Sequence, residues 1–327
     1  MVSVDQTSFP KPLKQSGALE NFTHEDTTPV IGREFPDVNI VDDLLNASNA
    51  DEWIRDLAIT IESQTCSEFG VDDAEISTIS SLQRKSLFKE SDARNKRRYD
   101  AAQWHSDIQF EPAPADYTSL RLTQLPKSGG DTVWASGYEI YDRFSPAYQK
   151  FFEGLTATFS GDGFLKAAAA NPDKVKIYEK ERGSPLNVGK ELTAVHPVVR
   201  TNPVTGWKSI FALGPFPKFI NELNADESED LLKKFRATIT ENHDLQVRFK
   251  WRNENDIAIW DNRSAFHSAT FDYEGLGERF GNRAVGIGEV PYLDPNSQSR
   301  TEALAKSQQS VEATSEGKVE KSETLSA

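Results

Sequence analysis

Apolar and polar residues alternate in several short runs, which is the pattern of half-buried β-strands. The clearest run is residues 245–251, in which every second residue is apolar. Three further runs, residues 118–125, 256–260 and 283–290, predict strands of similar length. Proline, glycine and asparagine residues separate the runs, as expected for turns between strands. The pattern therefore predicts a protein that is mainly β.

Helical periodicity is confined to three segments. In the longest segment the apolar residues share one helical face, and Asp226 with Glu229 predicts a capping box at its start. Residues 138–153 predict a second helical region that is interrupted before Pro146, because proline suits the first turn of a helix. Residues 51–61 predict a third. Many short strands with a few covering helices are typical of a double-sheet sandwich or jelly roll.

Composition divides the chain into a central domain and two tails. Residues 1–33 are polar and lack a sustained periodicity, and residues 295–327 are rich in Ser, Glu, Lys and Gln. Neither segment offers enough apolar surface to offset the entropy of ordering it, so both are predicted to be disordered. We expect one folded domain at residues 34–294.

Charge and cysteine content narrow the classes of function. The net charge of −14 would repel a phosphate backbone, which argues against nucleic-acid binding. No apolar run reaches membrane-spanning length, and the first 30 residues lack the apolar stretch of a signal peptide, so no membrane contact is expected. The single cysteine, Cys66, cannot form an internal disulfide, which favours a reducing compartment and therefore the cytoplasm. The sequence leaves the oligomeric state open, and a homo-oligomer is one alternative.

Three residues form a candidate metal site. His105 and Asp107 are two positions apart, and His267 follows far downstream. On a strand, residues i and i+2 point to the same side, so the first two can reach one ion. Two imidazoles and one carboxylate on one face of an ion are the ligand set of a mononuclear Fe(II) site with open positions. A lone His-x-Asp is common by chance, so its weight depends on the residues around it.

Two arginines lie just beyond the third candidate ligand. Arg279 and Arg283 follow His267 by 12 and 16 residues. A guanidinium group offers a planar fork of donors that binds a carboxylate or sulfonate through two parallel hydrogen bonds. On their own they would be two surface cations near an acidic loop. Beside a metal-ligand candidate, they fit an anionic co-substrate bound next to the metal.

Four blocks of sequence occur in a fixed order around these residues. They are Trp104-His105-Ser106-Asp107, the segment 129–136, the segment 196–201, and Trp260-Asp261-Asn262-Arg263. Together with His267 and the two arginines, they resemble the taurine dioxygenase-like family of Fe(II)- and 2-oxoglutarate-dependent dioxygenases. The resemblance covers about residues 35–293 and is nearest to the fungal sulfonate dioxygenase branch. Several ordered blocks are far more specific than His-x-Asp alone.

The resemblance implies a fold and a set of roles. The fold would be a distorted double-stranded β-helix, a relative of the jelly roll. By position, the iron ligands would be His105, Asp107 and His267, and no catalytic side chain is implied beyond this metal centre. Thr132 and Arg279 would hold the distal carboxylate of 2-oxoglutarate, and Arg283 would meet the sulfonate of the substrate.

The resemblance also implies the reaction. Fe(II), 2-oxoglutarate and O₂ would be used to hydroxylate a small anionic organic substrate, with succinate and CO₂ as co-products. With a sulfonate, hydroxylation beside the sulfur would release sulfite and an aldehyde.

Two departures from the family pattern bear on the substrate and the fold. Taurine-type members carry an Asn four residues before the first ligand histidine, where this chain has Ala101, so a longer or more apolar substrate than taurine is expected. After residues 53–61, relatives continue into a buried strand and a substrate-contacting segment, whereas this chain passes directly to residues 62–73. We therefore expect the jelly roll to lack one core strand, which would expose strand edges and apolar surface.

These observations leave two alternatives to a sulfonate dioxygenase. One is a catalytically impaired, truncated relative that acts as a non-enzymatic binding protein. The other is a related dioxygenase for a carboxylate or purine substrate.

Overall fold

The computed structural model describes Phe9, Leu13 and residues 16–58, 77–81, 103–173 and 175–309 of the 327-residue chain. Strands dominate this part of the chain. Their bounds are β1 Glu25–Asp26, β2 Arg33–Glu34, β3 Ser77–Ser80, β4 Ala115–Gln124, β5 Thr132–Ser136, β6 Thr156–Ser160, β7 Thr193–Pro197, β8 Val199–Thr201, β9 Lys208–Ile210, β10 Pro217–Ile220, β11 Gln246–Phe249, β12 Ile257–Asp261, β13 Ala265–Ala269 and β14 Phe280–Ile287.

Helices are fewer and cover the sheets. The α-helices with defined bounds are α1 Ala50–Ala58, α2 Gly137–Asp142, α3 Pro146–Glu153, α4 Asp162–Ala170 and α5 Ala225–Glu241. Short 3₁₀ helices span Ala18–Asn21 and His243–Leu245, and one π-helical segment spans Ile40–Leu45. Residues 300–309 are also helical. None of the helices among the described residues combines the length and the apolar composition needed to span a bilayer.

Two antiparallel sheets form the layers of a jelly roll. One has the strand order β12-β4-β14-β3 and the other has the order β11-β5-β13. The sheets pack against each other through one hydrophobic cluster, in which Leu120 and Leu122 of the first sheet meet Trp134 of the second. Trp260 of β12 lies against Trp134, with 5.4 Å between the ring centroids. Burying these aromatic and branched side chains between two layers is what holds the sandwich together.

A second, larger hydrophobic core lies beside the sandwich. It joins the sheet β10-β6-β7 to α3 and α5 and is rich in fully buried phenylalanines. Phe152 of α3 packs edge-on against Phe235 of α5, with 5.1 Å between the ring centroids. Helix α5 therefore covers this side of the protein with one apolar face, as its periodicity predicts.

The four predicted strand regions are confirmed with changed ends. The run at 118–125 belongs to a longer strand, β4, and the runs at 256–260 and 283–290 correspond to β12 and β14. The prediction for 245–251 was too long, because Leu245 ends a 3₁₀ helix and Trp251 lies beyond β11. Both residues are nevertheless buried, so the alternation reported burial correctly but not the ends of the strand.

The two later helix predictions are confirmed, with one correction, and the helix predicted at 51–61 is confirmed as far as Ala58, because residues 59–61 lie outside the described residues. The predicted interruption before Pro146 separates α2 from α3, and Pro146 is the first residue of α3. The capping box was placed two residues too late. Asn224, not Asp226, is the N-cap of α5, because its side chain accepts a hydrogen bond from the backbone N–H of Glu227 while the Glu227 carboxylate accepts one from the Asn224 backbone.

Several predictions concern the ends of the domain and the segment after Ile61. A 3₁₀ helix and β1 precede residue 34, and helical residues 300–309 follow residue 294. The domain boundaries at 34 and 294 stay predictions. Residues 59–76 lie outside the described residues, and the expected absence of a core strand in that region falls on them.

Candidate metal centre

The structure brings His105, Asp107 and His267 together at the edge of the two sheets. His105 and His267 form a single antiparallel bridge, in which each backbone N–H donates to the carbonyl of the other at 3.0 and 2.8 Å. His267 lies on β13, so the bridge ties the segment before β4 to the sheet that contains β5. The tertiary fold, and not spacing along the chain, places the second histidine beside the first.

The expectation that His105 and Asp107 share a strand was wrong. His105 makes only one bridge, and Asp107 begins a turn in which Ile108 has a φ of 43°. A positive φ is uncommon for a branched side chain and marks a tightly held turn. The turn still directs the Asp107 carboxylate towards the two imidazoles.

The three side chains are close enough to share one ion. His105 Nε2 lies 3.8 Å from Asp107 Oδ1, and His267 Nε2 lies 3.9 Å from the same oxygen. One ligand atom from each of the three residues lies within 4.8 Å of the others. Metal–ligand bonds of about 2.1 Å can bridge the two separations that involve Asp107.

Hydrogen bonds define which atoms face the ion. His105 Nδ1 lies 2.6 Å from the backbone carbonyl of Gln103, so it carries the proton and Nε2 is left with its lone pair. His267 Nδ1 is buried and has no hydrogen-bond partner among the described residues. On Asp107, Oδ2 accepts a hydrogen bond from the Thr118 hydroxyl at 2.8 Å, and Oδ1 faces the imidazoles.

The electrostatics of the cluster suit a cation. Burial alone would raise the pKa of Asp107, but the charges of Arg283, His267 and His105 and the Thr118 hydrogen bond lower it to about 2. Burial, together with the nearby His105, lowers the pKa of His267 to about 3. At neutral pH the cluster therefore offers one carboxylate and a neutral imidazole, which is the protonation state that binds a metal.

Arg283 contacts the cluster directly. Its Nη1 donates to Asp107 Oδ1 at 2.8 Å, and its Nε donates to the Ser77 hydroxyl at 3.4 Å. The side chain extends from β14, and the residue is 8% exposed. A fixed positive charge thus lies beside the atoms that would hold the metal. Its hydrogen bond goes to Oδ1, the same Asp107 oxygen that faces the two imidazoles.

Arg279 and Thr132 form a second polar group nearby. Arg279 donates from Nε to the carbonyl of Gly130 at 2.8 Å and from Nη2 to the Thr132 hydroxyl at 3.3 Å. The Trp251 indole N–H also donates to Thr132, at 3.1 Å. Arg279 is 4% exposed, burial lowers its pKa, and no described carboxylate lies within ion-pair distance of it. A buried guanidinium that pairs with no carboxylate in the described part of the chain fits a site that an anionic ligand completes.

Aromatic side chains flank the first histidine. Phe216 stands edge-on to the His105 imidazole, with 6.1 Å between the ring centroids. Phe110 packs against Phe216 at 5.0 Å, and Phe164 stacks on Phe216 at 6.4 Å. One side of the cluster is therefore apolar, and the arginine side is cationic.

The donor set fits Fe(II) and 2-oxoglutarate. Two imidazole nitrogens and one carboxylate oxygen on one side of an ion are the ligands that ferrous iron takes when it keeps open positions. The buried Arg279 fork and the Thr132 hydroxyl supply donors for one carboxylate of a dicarboxylic acid. His105, Asp107 and His267 could hold the metal, and Arg279 with Thr132 could hold the co-substrate.

The sequence patterns missed two residues that contact Asp107. Asn262 accepts a hydrogen bond from the Asp107 backbone N–H at 3.0 Å and donates to the Thr118 hydroxyl at 2.8 Å. Asn262 belongs to a sequence block to which we assigned no separate role, and Thr118 is an ordinary position of an alternating strand. Nothing in the spacing of either residue indicates that its side chain meets Asp107.

Comparison with known proteins identifies the family. The family model described as "Taurine catabolism dioxygenase TauD, TfdA family" matches residues 24–285. The alpha-ketoglutarate-dependent dioxygenase oryG of Aspergillus oryzae is 41% identical, over 92% of this chain and 98% of that protein. Alpha-ketoglutarate is another name for 2-oxoglutarate.

More distant relatives agree with this family. An alpha-ketoglutarate-dependent sulfonate dioxygenase of Saccharomyces cerevisiae is 34% identical, over 58% of this chain and 43% of that protein. The crystal structure of a taurine dioxygenase from Burkholderia xenovorans has the same fold, with a TM-score of 0.59 at 22% identity, over 84% of this chain and 93% of that one.

The alignment with the Aspergillus protein also bears on the expected deletion. It spans 338 positions while it includes 92% of the 327 residues, so that relative has residues without a counterpart in this chain. The predicted absence of a segment after Ile61 stays a prediction. The family predicted from the sequence blocks is confirmed. The chain belongs to the TauD, TfdA family and is a dioxygenase that depends on Fe(II), 2-oxoglutarate and O₂.

Proposed function

We propose that this dioxygenase hydroxylates a small anionic organic substrate, with a sulfonate as the first candidate. The residues that would bind Fe(II) are His105, Asp107 and His267. Arg279 and Thr132 would bind 2-oxoglutarate, and Arg283 would bind the anionic group of the substrate.

The observation that carries this proposal is the position of Arg283. Its guanidinium is buried and lies 2.8 Å from the carboxylate of the proposed metal ligand Asp107. A fixed cation at this place would hold an anion next to the metal and would do so more strongly than a surface arginine, because little water screens it. The sulfonate dioxygenase among the relatives supports a sulfonate as that anion.

The side chains of the chain would divide the work among binding, orientation and exclusion of water. Bound Fe(II), together with 2-oxoglutarate and O₂, supplies the oxidising chemistry that hydroxylates a substrate C–H bond. Arg279 and Thr132 would fix one end of 2-oxoglutarate, and the Trp251 indole would keep the Thr132 hydroxyl oriented. Arg283 would orient the substrate so that one C–H bond faces the metal.

The products of a sulfonate follow from its own chemistry. Hydroxylation at the carbon that bears sulfur gives a hydroxysulfonate. Its hydroxyl loses a proton as the C=O bond forms, and the C–S bond breaks with its electron pair on sulfur. The products are an aldehyde and sulfite, together with succinate and CO₂ from 2-oxoglutarate.

The aromatic side of the cluster favours a substrate with an apolar body. Phe216 lies beside the His105 imidazole, and Phe110 and Phe164 pack against Phe216; none of the three side chains offers a hydrogen-bond donor or acceptor. An aromatic or alkyl group would pack there, while the anionic group would meet Arg283. This also supports the alternative of a carboxylate or purine substrate, because such molecules combine a polar edge with a flat or apolar body.

The test is a turnover screen with purified protein. Fe(II), 2-oxoglutarate, ascorbate and O₂ would be combined with alkyl and arylmethyl sulfonates, sulfate esters, carboxylates and purines, and succinate and sulfite would be measured. We expect succinate above the substrate-free rate with at least one arylmethyl or long-chain alkyl sulfonate, in step with sulfite. Stimulation by carboxylates alone would overturn the sulfonate and support the alternative.

The same assay separates an enzyme from a catalytically impaired relative. A competent metal centre forms succinate slowly even without substrate, and His105→Ala would abolish it. If the intact protein binds neither Fe(II) nor 2-oxoglutarate, the chain is a truncated relative that acts as a binding protein. We also propose the cytoplasm as its compartment, from the single cysteine.

A further inference from the structure

A closed ring of hydrogen bonds surrounds the Asp107 carboxylate on the side away from the imidazoles. The Asp107 backbone N–H donates to Asn262 Oδ1 at 3.0 Å, and Asn262 Nδ2 donates to the Thr118 hydroxyl at 2.8 Å. The Thr118 hydroxyl donates its own proton to Asp107 Oδ2 at 2.8 Å. Each donor in the ring therefore has one acceptor, and the ring begins and ends on Asp107.

The ring is buried and anchored on both sides. Asp107, Thr118 and Asn262 are at most 2% exposed, so no solvent can replace these hydrogen bonds. The Trp260 indole N–H also donates to Asn262 Oδ1, at 3.2 Å. The backbone of Asn262 accepts from the Ser106 hydroxyl at 2.7 Å and donates to the carbonyl of Asp116 at 2.6 Å.

The ring assigns different tasks to the two carboxylate oxygens. Oδ2 accepts a hydrogen bond from the Thr118 hydroxyl, whereas Oδ1 faces His105 Nε2 and His267 Nε2 and also accepts one from Arg283 Nη1 at 2.8 Å. The buried hydrogen bond to Oδ2 resists rotation of the carboxylate, so Oδ1, which is turned towards the two imidazoles, is the oxygen that a metal would meet. Asp107 would then take one coordination position, and the open positions would remain for 2-oxoglutarate and O₂.

We propose that Asn262 and Thr118 are positioning residues that restrict Asp107 to one metal-binding oxygen. The proposal rests on the proposed function in one respect, because it takes Asp107 as a metal ligand. Neither residue is among those proposed to hold the metal, the co-substrate or the substrate. Both act through the orientation of Asp107.

The experiment measures metal binding by the intact protein without turnover. Mn(II) affinity would be measured by anaerobic titration calorimetry, and the Co(II)-loaded protein would be examined by visible absorption, which reports coordination number and geometry. Thr118→Val removes the hydroxyl and keeps the shape of the side chain, and Thr118→Ser keeps the hydroxyl. We expect Thr118→Val to weaken Mn(II) binding about 10-fold or more and to change the Co(II) spectrum. Thr118→Ser should stay within about threefold of the wild type.

A second variant opens the ring at another bond. Asn262→Ala removes both amide contacts and should weaken Mn(II) binding at least as much as Thr118→Val. Because both variants open one ring, the double variant should bind Mn(II) about as weakly as Asn262→Ala alone. If Thr118→Val fails to fold, Asn262→Ala and Thr118→Ser test the same ring.

The matched control is a buried threonine elsewhere. Thr201 is 3% exposed and its hydroxyl lies 2.8 Å from that of Ser297, on β8 and outside the metal cluster. Thr201→Val should lower the thermal midpoint of the metal-free protein and leave Mn(II) affinity and the Co(II) spectrum unchanged. A ring variant that behaves in the same way would show a merely structural role.

Two negative results have different meanings. If the wild type binds no Mn(II), the proposed function fails together with this inference. If the wild type binds Mn(II) and both ring variants bind it equally well with the same Co(II) spectrum, only the positioning role is overturned.

Discussion

Replacing Arg279 with methionine is the sharpest test of the co-substrate site. Arg279 is 4% exposed, and two of its five guanidinium N–H groups donate hydrogen bonds to Gly130 and Thr132. The remaining donors can bind a carboxylate. Methionine fills similar volume without charge, so the variant removes the donors with little change in packing.

The expected loss follows from this burial. Truncating one partner of a buried, hydrogen-bonded charge pair costs about 2–5 kcal/mol. Methionine also removes a buried cation that has no carboxylate partner among the described residues, so the net loss should lie near the lower end of that range. Because about 1.4 kcal/mol is tenfold in affinity, we expect 2-oxoglutarate to bind roughly 30- to 300-fold more weakly.

The assay is anaerobic titration of Fe(II)-loaded protein with 2-oxoglutarate, followed through the visible charge-transfer band. Arg248→Met is the matched control, because Arg248 pairs with Asp131 and Asp272 near the same turn but is 56% exposed. An exposed ion pair contributes little, so this variant should stay within about twofold of the wild type.

One result would refute the reasoning. If Arg279→Met binds 2-oxoglutarate within about twofold of the wild type, the buried fork does not hold a carboxylate. A loss of equal size in both arginine variants would indicate a general electrostatic effect instead of a specific contact.

Three further predictions concern the substrate, pH and the core. Arg283→Met should raise the KM for the anionic substrate about 100-fold and leave 2-oxoglutarate affinity within about threefold; equal losses would contradict separate sites. Burial, with the nearby charges of Asp261 and Glu289, raises the pKa of Asp116 to about 6, so the folded protein favours the protonated carboxyl. The stability that this carboxyl contributes is present below about pH 4 and is lost as the pH rises through 6. Asp116→Asn should therefore gain stability relative to the wild type between pH 4 and 7, by at most about 3 kcal/mol in urea unfolding, and a pH-independent difference would refute this. Phe235→Ala should lower the free energy of unfolding by about 3–5 kcal/mol in the same experiment, because its ring is fully buried against Phe152, and a loss below about 1 kcal/mol would contradict this packing.

Much of the fold could be predicted because buried positions are apolar and recur with the period of the strand or helix. The alternation at 118–125 and the helical face of α5 both report which side chains point inward. The ends of elements were less predictable. Asn224 and Asp226 are each followed by a glutamate three residues later, and only the backbone direction before α5 decided that Asn224 caps it.

The sequence by itself determined the chemical types in the site and their order along the chain. Two histidines, one aspartate and two arginines indicated a metal with an anionic co-substrate beside it, and the family resemblance of the ordered blocks added an anionic substrate. Only the tertiary structure decided which atoms meet. Asp107 accepts hydrogen bonds from Thr118 on β4 and Arg283 on β14, and its backbone N–H donates to Asn262 after β12. Such contacts of about 3 Å depend on the register between strands, and residue spacing along one chain carries no information about that register.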